Sequence, residues 1–421
     1  MIVRKIKESE LMEARNISSL CFNWSHDTTN KDLDEYIKEA KENPGSKSDA
    51  YFQDTWAAFT ESNEMMSCIS VIPYDVTFDE HVLKMSGIGG VCTYPEHRRK
   101  GAVRECFRNA FDEMYDKGVH FSYLYAFSEK FYGNFGYIRS SASTLWSFDL
   151  ATIPDYRYDG SFHLYRADGN YEEFDMVYHE YAKKYNMMVH RDKYDWDILK
   201  ESNPFKGYRS AHLYKDKTGK PCGYMIYEKL HEDNHVILNC KELIFDSFTT
   251  LKALMSFAKT FSADYDQVIF RAPKCLSLDY FCEDYSQSSS YRNTKQNGMV
   301  RVINVEEVLK HAKYKGDGEI KLFIKDSFLP VNNRIYTVTY ENGKATLIKT
   351  SEIINSNSNI DSLAQTEQID VIMTINQFSS AIVGNYDVSD FEYQDGITLY
   401  CSKEKASTCF YSKPCWINNY F

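Results

Sequence analysis

The feature that most restricts this chain is a run in which an apolar strand, a basic turn and an amphipathic helix follow one another without a spacer. Leu83 to Thr93 reads as a strand, Pro95 interrupts it, and His97-Arg98-Arg99-Lys100-Gly101 leads straight into a helix. Ala102, Cys106, Ala110 and Met114 recur on one face of that helix, with Phe107 and Phe111 beside them. A helix this apolar on one side has to cover a sheet. The chain therefore reads as α/β.

The surrounding residues repeat the alternation. Ile2 to Lys7, Thr55 to Thr60, Met65 to Ile72 and His120 to Ala126 pattern as strands, and a helix after Ser9 buries Leu11, Ala14, Ser18 and Cys21. The order is β-α-β-β-β-α-β, with a further strand around Thr144 to Phe148. Residues 151–295 show a weaker copy: helix Tyr171 to Tyr185, strands Ser210 to Tyr214, Gly223 to Lys229 and Val236 to Ile244, helix Phe248 to Phe261 and strand Val268 to Arg271. This copy lacks the basic run after its central strand. A mixed segment, 296–421, carries the hairpin Arg334 to Lys349 around Glu341-Asn342-Gly343. We expect domains at 1–150, 151–295 and 296–421.

Charge excludes some functions. The formal net charge is -11 and the basic residues are scattered apart from His97 to Lys100, so nucleic acid is not an expected partner. No segment approaches the ~18 apolar residues of a membrane span, and the 11 cysteines form no Cys-x-x-Cys pair. A cytoplasmic protein without membrane association is expected. No histidine cluster shows zinc spacing along the chain, so no metal is expected.

A helix start presents unpaired amides and a partial positive charge, and Gly101 lets a ligand come close, so a pyrophosphate can rest there beside Arg98 and Arg99. Strand, basic-glycine step and helix, set in this order of elements, resemble the acyl-CoA signature of the GNAT acetyltransferase superfamily. The segment Tyr132-Gly133-Asn134-Phe135-Gly136-Tyr137, together with the landmarks Phe328 to Asn333, Phe378 to Gly384 and Pro414 to Phe421, is similar to the Eis family within it.

The resemblance implies an α/β (α+β) fold: two tandem GNAT acyltransferase units, only the first binding coenzyme, then a sterol-carrier-protein-like domain. It implies acetyl-CoA as cosubstrate and a hexamer. Val91 and Thr93 would hold the pantetheine and thioester, Arg98, Arg99, Gly101 and Ala102 the pyrophosphate, and Ser128 would touch the cofactor. Tyr132 would protonate the departing thiolate, and the terminal carboxylate of Phe421 would deprotonate the amine. Trp24 and Asp27 would line the amine pocket. The expected activity is acetyl transfer from acetyl-CoA to a primary amine: an aminoglycoside, a polyamine or a lysine-like acceptor. Tyr420 stands where some members carry an acid, which argues against multi-site acetylation of aminoglycosides. A non-catalytic protein that binds acyl-CoA or a lipid on the same fold is the alternative.

Overall fold

The structure, a computed structural model, describes residues 1–24, 32–42, 44–207, 209–232, 235–283, 291–296, 298–354 and 360–421. It divides into two units: Met1–Ser140 with Gly298–Lys413 and Asn419–Phe421, and Ser141–Asn297 with Pro414–Asn418.

The first unit opens with β1 (Ile2–Lys5), α1 (Leu11–Phe22), α2 (Leu33–Glu42) and α3 (Lys47–Ala50). Then β2 (Thr55–Phe59), β3 (Met65–Phe78) and β4 (His81–Thr93) form an antiparallel meander, α4 (Ala102–Asp116) crosses over, and β5 (Phe121–Leu124) returns parallel to β4. A short α5 (Glu129–Gly133) precedes β6 (Ile138–Arg139). The strand Met299–Val302, from far along the chain, lies between β5 and β6 and pairs antiparallel with both. α4 buries the face read from the sequence, Ala102, Cys106, Phe107, Ala110, Phe111 and Met114, against Ala58, Ile69, Ile88 and Leu124. Each phenylalanine removed from water there contributes roughly 1.5–3 kcal/mol. Just before α1 the Glu10 side chain accepts from the Lys7 amide at 2.8 Å.

Two sequence landmarks close over one buried cation. Arg301, on the strand Met299–Val302, is fully buried and donates to the Phe135 carbonyl and, at 2.6 Å, to Asp326 Oδ2. Asp326 also accepts from the amides of Phe328 and Leu329. Gly136 has φ +88°, and a Cβ there would stand 1.7 Å from the Arg301 guanidinium. Only glycine satisfies both conditions.

The rest of the first unit is a sheet in the order Lys344–Thr350, Arg334–Glu341, Gly318–Lys325, Val371–Thr374, Ile397–Leu399, with helices Val305–His311 and Ile375–Ile382. Its hairpin turns at Asn342 and Gly343, both at positive φ, as the sequence predicts.

The second unit is built on a sheet in the order Tyr291–Gln296, Ala142–Asp149, Gln267–Pro273, His235–Phe245, Pro221–Glu232, Arg209–Lys215, Ser161–Leu164. Helix Phe248–Lys259 links the parallel strands His235–Phe245 and Gln267–Pro273, the same strand–helix–strand step that α4 makes in the first unit. The strand read at Thr144 to Phe148 pairs in this sheet. Arg191 and Glu242 form a buried ion pair at 2.9 Å, with Arg191 4.0 Å from the Tyr178 ring centroid. Among the described residues no helix is long and apolar enough to cross a membrane.

Candidate functional site

The site begins with a defect in β4. β5 runs beside it only from Met85 to Ile88, so among the described residues the remaining stretch to Thr93 has no strand on that side. On the other side Gly89 pairs Ser70 and Cys92 pairs Cys68, so Ile69 alone faces Gly90 and Val91. This is a β-bulge, and Gly90 supplies the left-handed residue it requires, φ +55°. The bulge turns three consecutive residues toward three different places. The carboxyl carbon of Phe421 would lie 3.9 Å from a Cβ on Gly89, Gly90 lines a cavity of about 320 Å³, and Val91 lines a cleft of about 900 Å³.

The larger cleft gathers six of the residues named from the sequence: Val91, Thr93, Arg98, Arg99, Gly101 and Ala102. Arg104 continues its polar end, and Val103, Phe127, Phe131 and Phe135 supply apolar wall. No side chain caps α4, which leaves the amides of its first turn without partners from the helix. Arg98 and Arg99 are exposed and, among the described residues, pair with no carboxylate. Gly101, the N-cap, has φ +80°, and a Cβ there would meet nothing within 4 Å. Backbone conformation thus requires the glycine in the protein alone, and the open space beside it is free for a ligand.

Tyr132 is 3% exposed and packs against the cleft wall, its ring centroid 5.3 Å from that of Phe127 and 5.1 Å from that of Phe131. Burial, and to a smaller extent the neighbouring Cys92 thiol, push its pKa above the ordinary tyrosine value. The phenol therefore keeps its proton. Ser128 does not line the cleft: its Oγ accepts from the Phe131 amide at 3.3 Å and caps α5, the helix that positions Tyr132.

The chain end is held. The Phe421 ring fits over Gly87, where a Cβ would approach it to 2.6 Å, and its centroid lies 4.7 Å from that of Tyr74 and 5.4 Å from that of Tyr125. The Tyr125 ring also packs at a tilt against that of Tyr420, centroids 4.4 Å apart, and its hydroxyl donates to the Asn419 carbonyl. Glycine and tyrosines together fix the terminal carboxyl beside the bulge.

Trp24 lines the smaller cavity with Arg15, Ser18, Ser48, Thr55 and Ser70, while Asp27 lies outside the described residues. Arg15 is paired with Asp49. None of these hydroxyl residues stands out in the sequence, because they come from α1, α3, β2 and β3 and share no motif.

Residues 2–139 match the acetyltransferase (GNAT) domain family and residues 305–418 the sterol carrier protein domain family. Among curated proteins no sequence matches. The fold is shared along the whole length with solved structures: a GCN5-related N-acetyltransferase from Anabaena variabilis (17% identity, TM-score 0.82, 100% of both chains), a probable N-acyltransferase from Enterococcus faecalis (18%, 0.81, 100% of this chain and 99% of that one), and Eis1 from Mycobacterium abscessus (14%, 0.78, 100% of both). At such identities the likeness is one of fold. The chain therefore joins, in one polypeptide, an acetyltransferase (GNAT) domain and a sterol carrier protein domain.

Proposed function

We propose that the protein transfers an acetyl group from acetyl-CoA to the amine of a small acceptor. The observation that carries this reading is the bulge in β4, which sets a cleft with arginines at a helix start, a small cavity of mixed lining and a fixed carboxyl group against three successive residues.

The cleft fits the cosubstrate chemically. Unpaired amides at the start of α4, with Arg98 and Arg99, suit a diphosphate, and the phenylalanine wall suits the pantetheine arm. When bound, acetyl-CoA supplies an activated acyl carbon and a thiolate leaving group. The open edge of β4 near Val91 and Thr93 offers backbone groups to orient the arm. The Phe421 carboxylate takes the proton that an alkyl ammonium must lose before attack. Tyr132 Oη holds the proton that the leaving sulfur needs. The acceptor occupies the smaller cavity, where Trp24 and the hydroxyls of Ser18, Ser48, Thr55 and Ser70 orient it.

All eleven cysteines are free, which agrees with a cytoplasmic setting. The hexamer implied by the resemblance is a question for light scattering.

The test is an assay for free thiol with acetyl-CoA and a panel of polyamines, aminoglycosides, lysine peptides and arylalkylamines. Thiol release with at least one amine is expected. Removing Phe421, or extending the chain beyond it, is expected to lower kcat by ~10²–10⁴-fold while acetyl-CoA still binds. Binding of acetyl-CoA without thiol release across the panel would favour the sensor reading, and absence of acetyl-CoA binding would overturn both.

A further inference from the structure

We propose that His120, Glu307 and His311 form a binding site for one divalent transition-metal ion of the zinc class, which ties the helix Val305–His311 to the start of β5.

One ligand atom from each of these residues lies within 4.8 Å of the others. Glu307 and His311 are four apart on one helix and so share a face, while His120 immediately precedes β5. His81, which opens β4, places its ring centroid 5.0 Å from that of His311, and the His120 centroid is 5.8 Å from it. Sequence spacing does not reveal this set, because it comes from distant parts of the chain.

Two further observations point to a ligand. His311 Nδ1 lies 2.8 Å from the Glu307 carbonyl. A carbonyl only accepts, so Nδ1 carries the hydrogen and Nε2 keeps a free lone pair, the arrangement that orients a ligating histidine. The second is His120 Nδ1, which is buried and makes no hydrogen bond. Leaving such an atom unsatisfied costs about 1–3 kcal/mol, and a metal ion would satisfy it.

Two imidazoles and one carboxylate suit zinc, and tetrahedral bonds of ~2.0–2.1 Å would bring the ligand atoms to roughly 3.4 Å apart, a modest closure from their present spacing. Lys310 lies 3.6 Å from Glu307 Oε1, an exposed contact that occupies a single oxygen. The site lies at the end of β5 where its pairing with β4 begins, away from the bulge. Its role is therefore to brace two elements rather than to act on the acyl group.

The test uses the full chain without a histidine tag, stripped with chelator and titrated with Zn²⁺ by calorimetry, then with Co²⁺ by visible absorption. One equivalent of Zn²⁺ per chain is expected, with a rise in Tm and Co²⁺ bands of tetrahedral intensity. His311→Ala and His120→Ala should each weaken binding tenfold or more, whereas His163→Ala, at an exposed position in the second unit, should not. If either site variant fails to fold, Glu307→Gln and the Co²⁺ spectrum of the unaltered protein carry the test. Substoichiometric binding, or binding indifferent to all three site substitutions, would overturn the proposal.

Discussion

The strand–helix step occurs twice in this chain, and the two versions treat the start of the helix in opposite ways. In the second unit, strand His235–Phe245 passes to helix Phe248–Lys259 through Asp246 and Ser247 alone. Ser247 Oγ accepts from the Thr250 amide at 3.2 Å, and Asp246 accepts from Thr250 Oγ1 at 2.7 Å. The helix thus has its own cap and its own anion. In the first unit a longer turn separates β4 from α4, arginines replace the acid, and no side chain caps the helix. Positive residues at a positive helix end are unfavourable in the protein alone. The first junction is left electrostatically incomplete, which supports the proposal that it receives an anion.

The residues after the returning strand differ as well. β5 leads to α5 with Tyr132 3% exposed, whereas Gln267–Pro273 leads to a turn in which Tyr280 is 86% exposed. If burial beside the cleft makes Tyr132 an acid, Tyr132→Phe should lower kcat by ~10²–10⁴-fold with little effect on acetyl-CoA binding, and Tyr280→Phe should leave both unchanged. The pH profile gives a second check. The protonated phenol is the active form and its pKa is raised, so loss of this proton should lie above the ordinary tyrosine value of about 10, and the rate should not fall on its account below that pH. A decline between pH 8 and 9 that disappears in Tyr132→Phe would show that burial does not hold this phenol protonated.

A smaller effect is expected from making the first junction resemble the second. Arg98→Asp places an acid where the second unit has one. Acetyl-CoA KM should rise about 10–100-fold, as for loss of a charge-assisted hydrogen bond of roughly 1.5–3 kcal/mol. Because Arg98 is exposed and has no carboxylate partner among the described residues, stability should stay within ~0.5 kcal/mol, measured by denaturant unfolding. An unchanged KM would mean that the diphosphate lies elsewhere.

How much of this was legible in the sequence follows from how local each feature is. The face of α4 is set by spacing within one helix and is buried as the sequence predicts; Val91, Thr93, Arg98, Arg99, Gly101 and Ala102 are near neighbours in sequence, and they line one cleft. Pairing partners are not local. Nothing in Met299–Val302 says that it will sit between β5 and β6, nor in Ala142–Asp149 that it joins the second sheet. The reading of Gly101 captured the space for a ligand but not φ +80°, because the need for a left-handed residue is a property of the turn's path. Ser128 was read as a cofactor contact, yet its hydroxyl faces the Phe131 amide. The smaller cavity was illegible for the same reason as the histidine cluster: its walls come from elements that only the fold brings together.

The smallest effect separates a cap from a site. Ser247→Ala removes the side chain that serves the Thr250 amide and should cost about 0.5–2 kcal/mol of stability, the usual range for a lost N-cap. Acetyl-CoA KM and kcat should not move, since the Asp246 carboxylate still occupies the end of that helix. At the first junction, Gly101→Ala should cost a comparable ~1–2 kcal/mol, because an L-residue is forced to φ +80°. This substitution should raise acetyl-CoA KM as well, through the shifted amides of α4. Equal losses of stability with a KM change at only one junction would show that the two helix starts differ in what they leave unpaired rather than in how firmly they are built. A KM change at both would mean that the second helix start also meets the coenzyme, and the contrast between capped and open ends would fail.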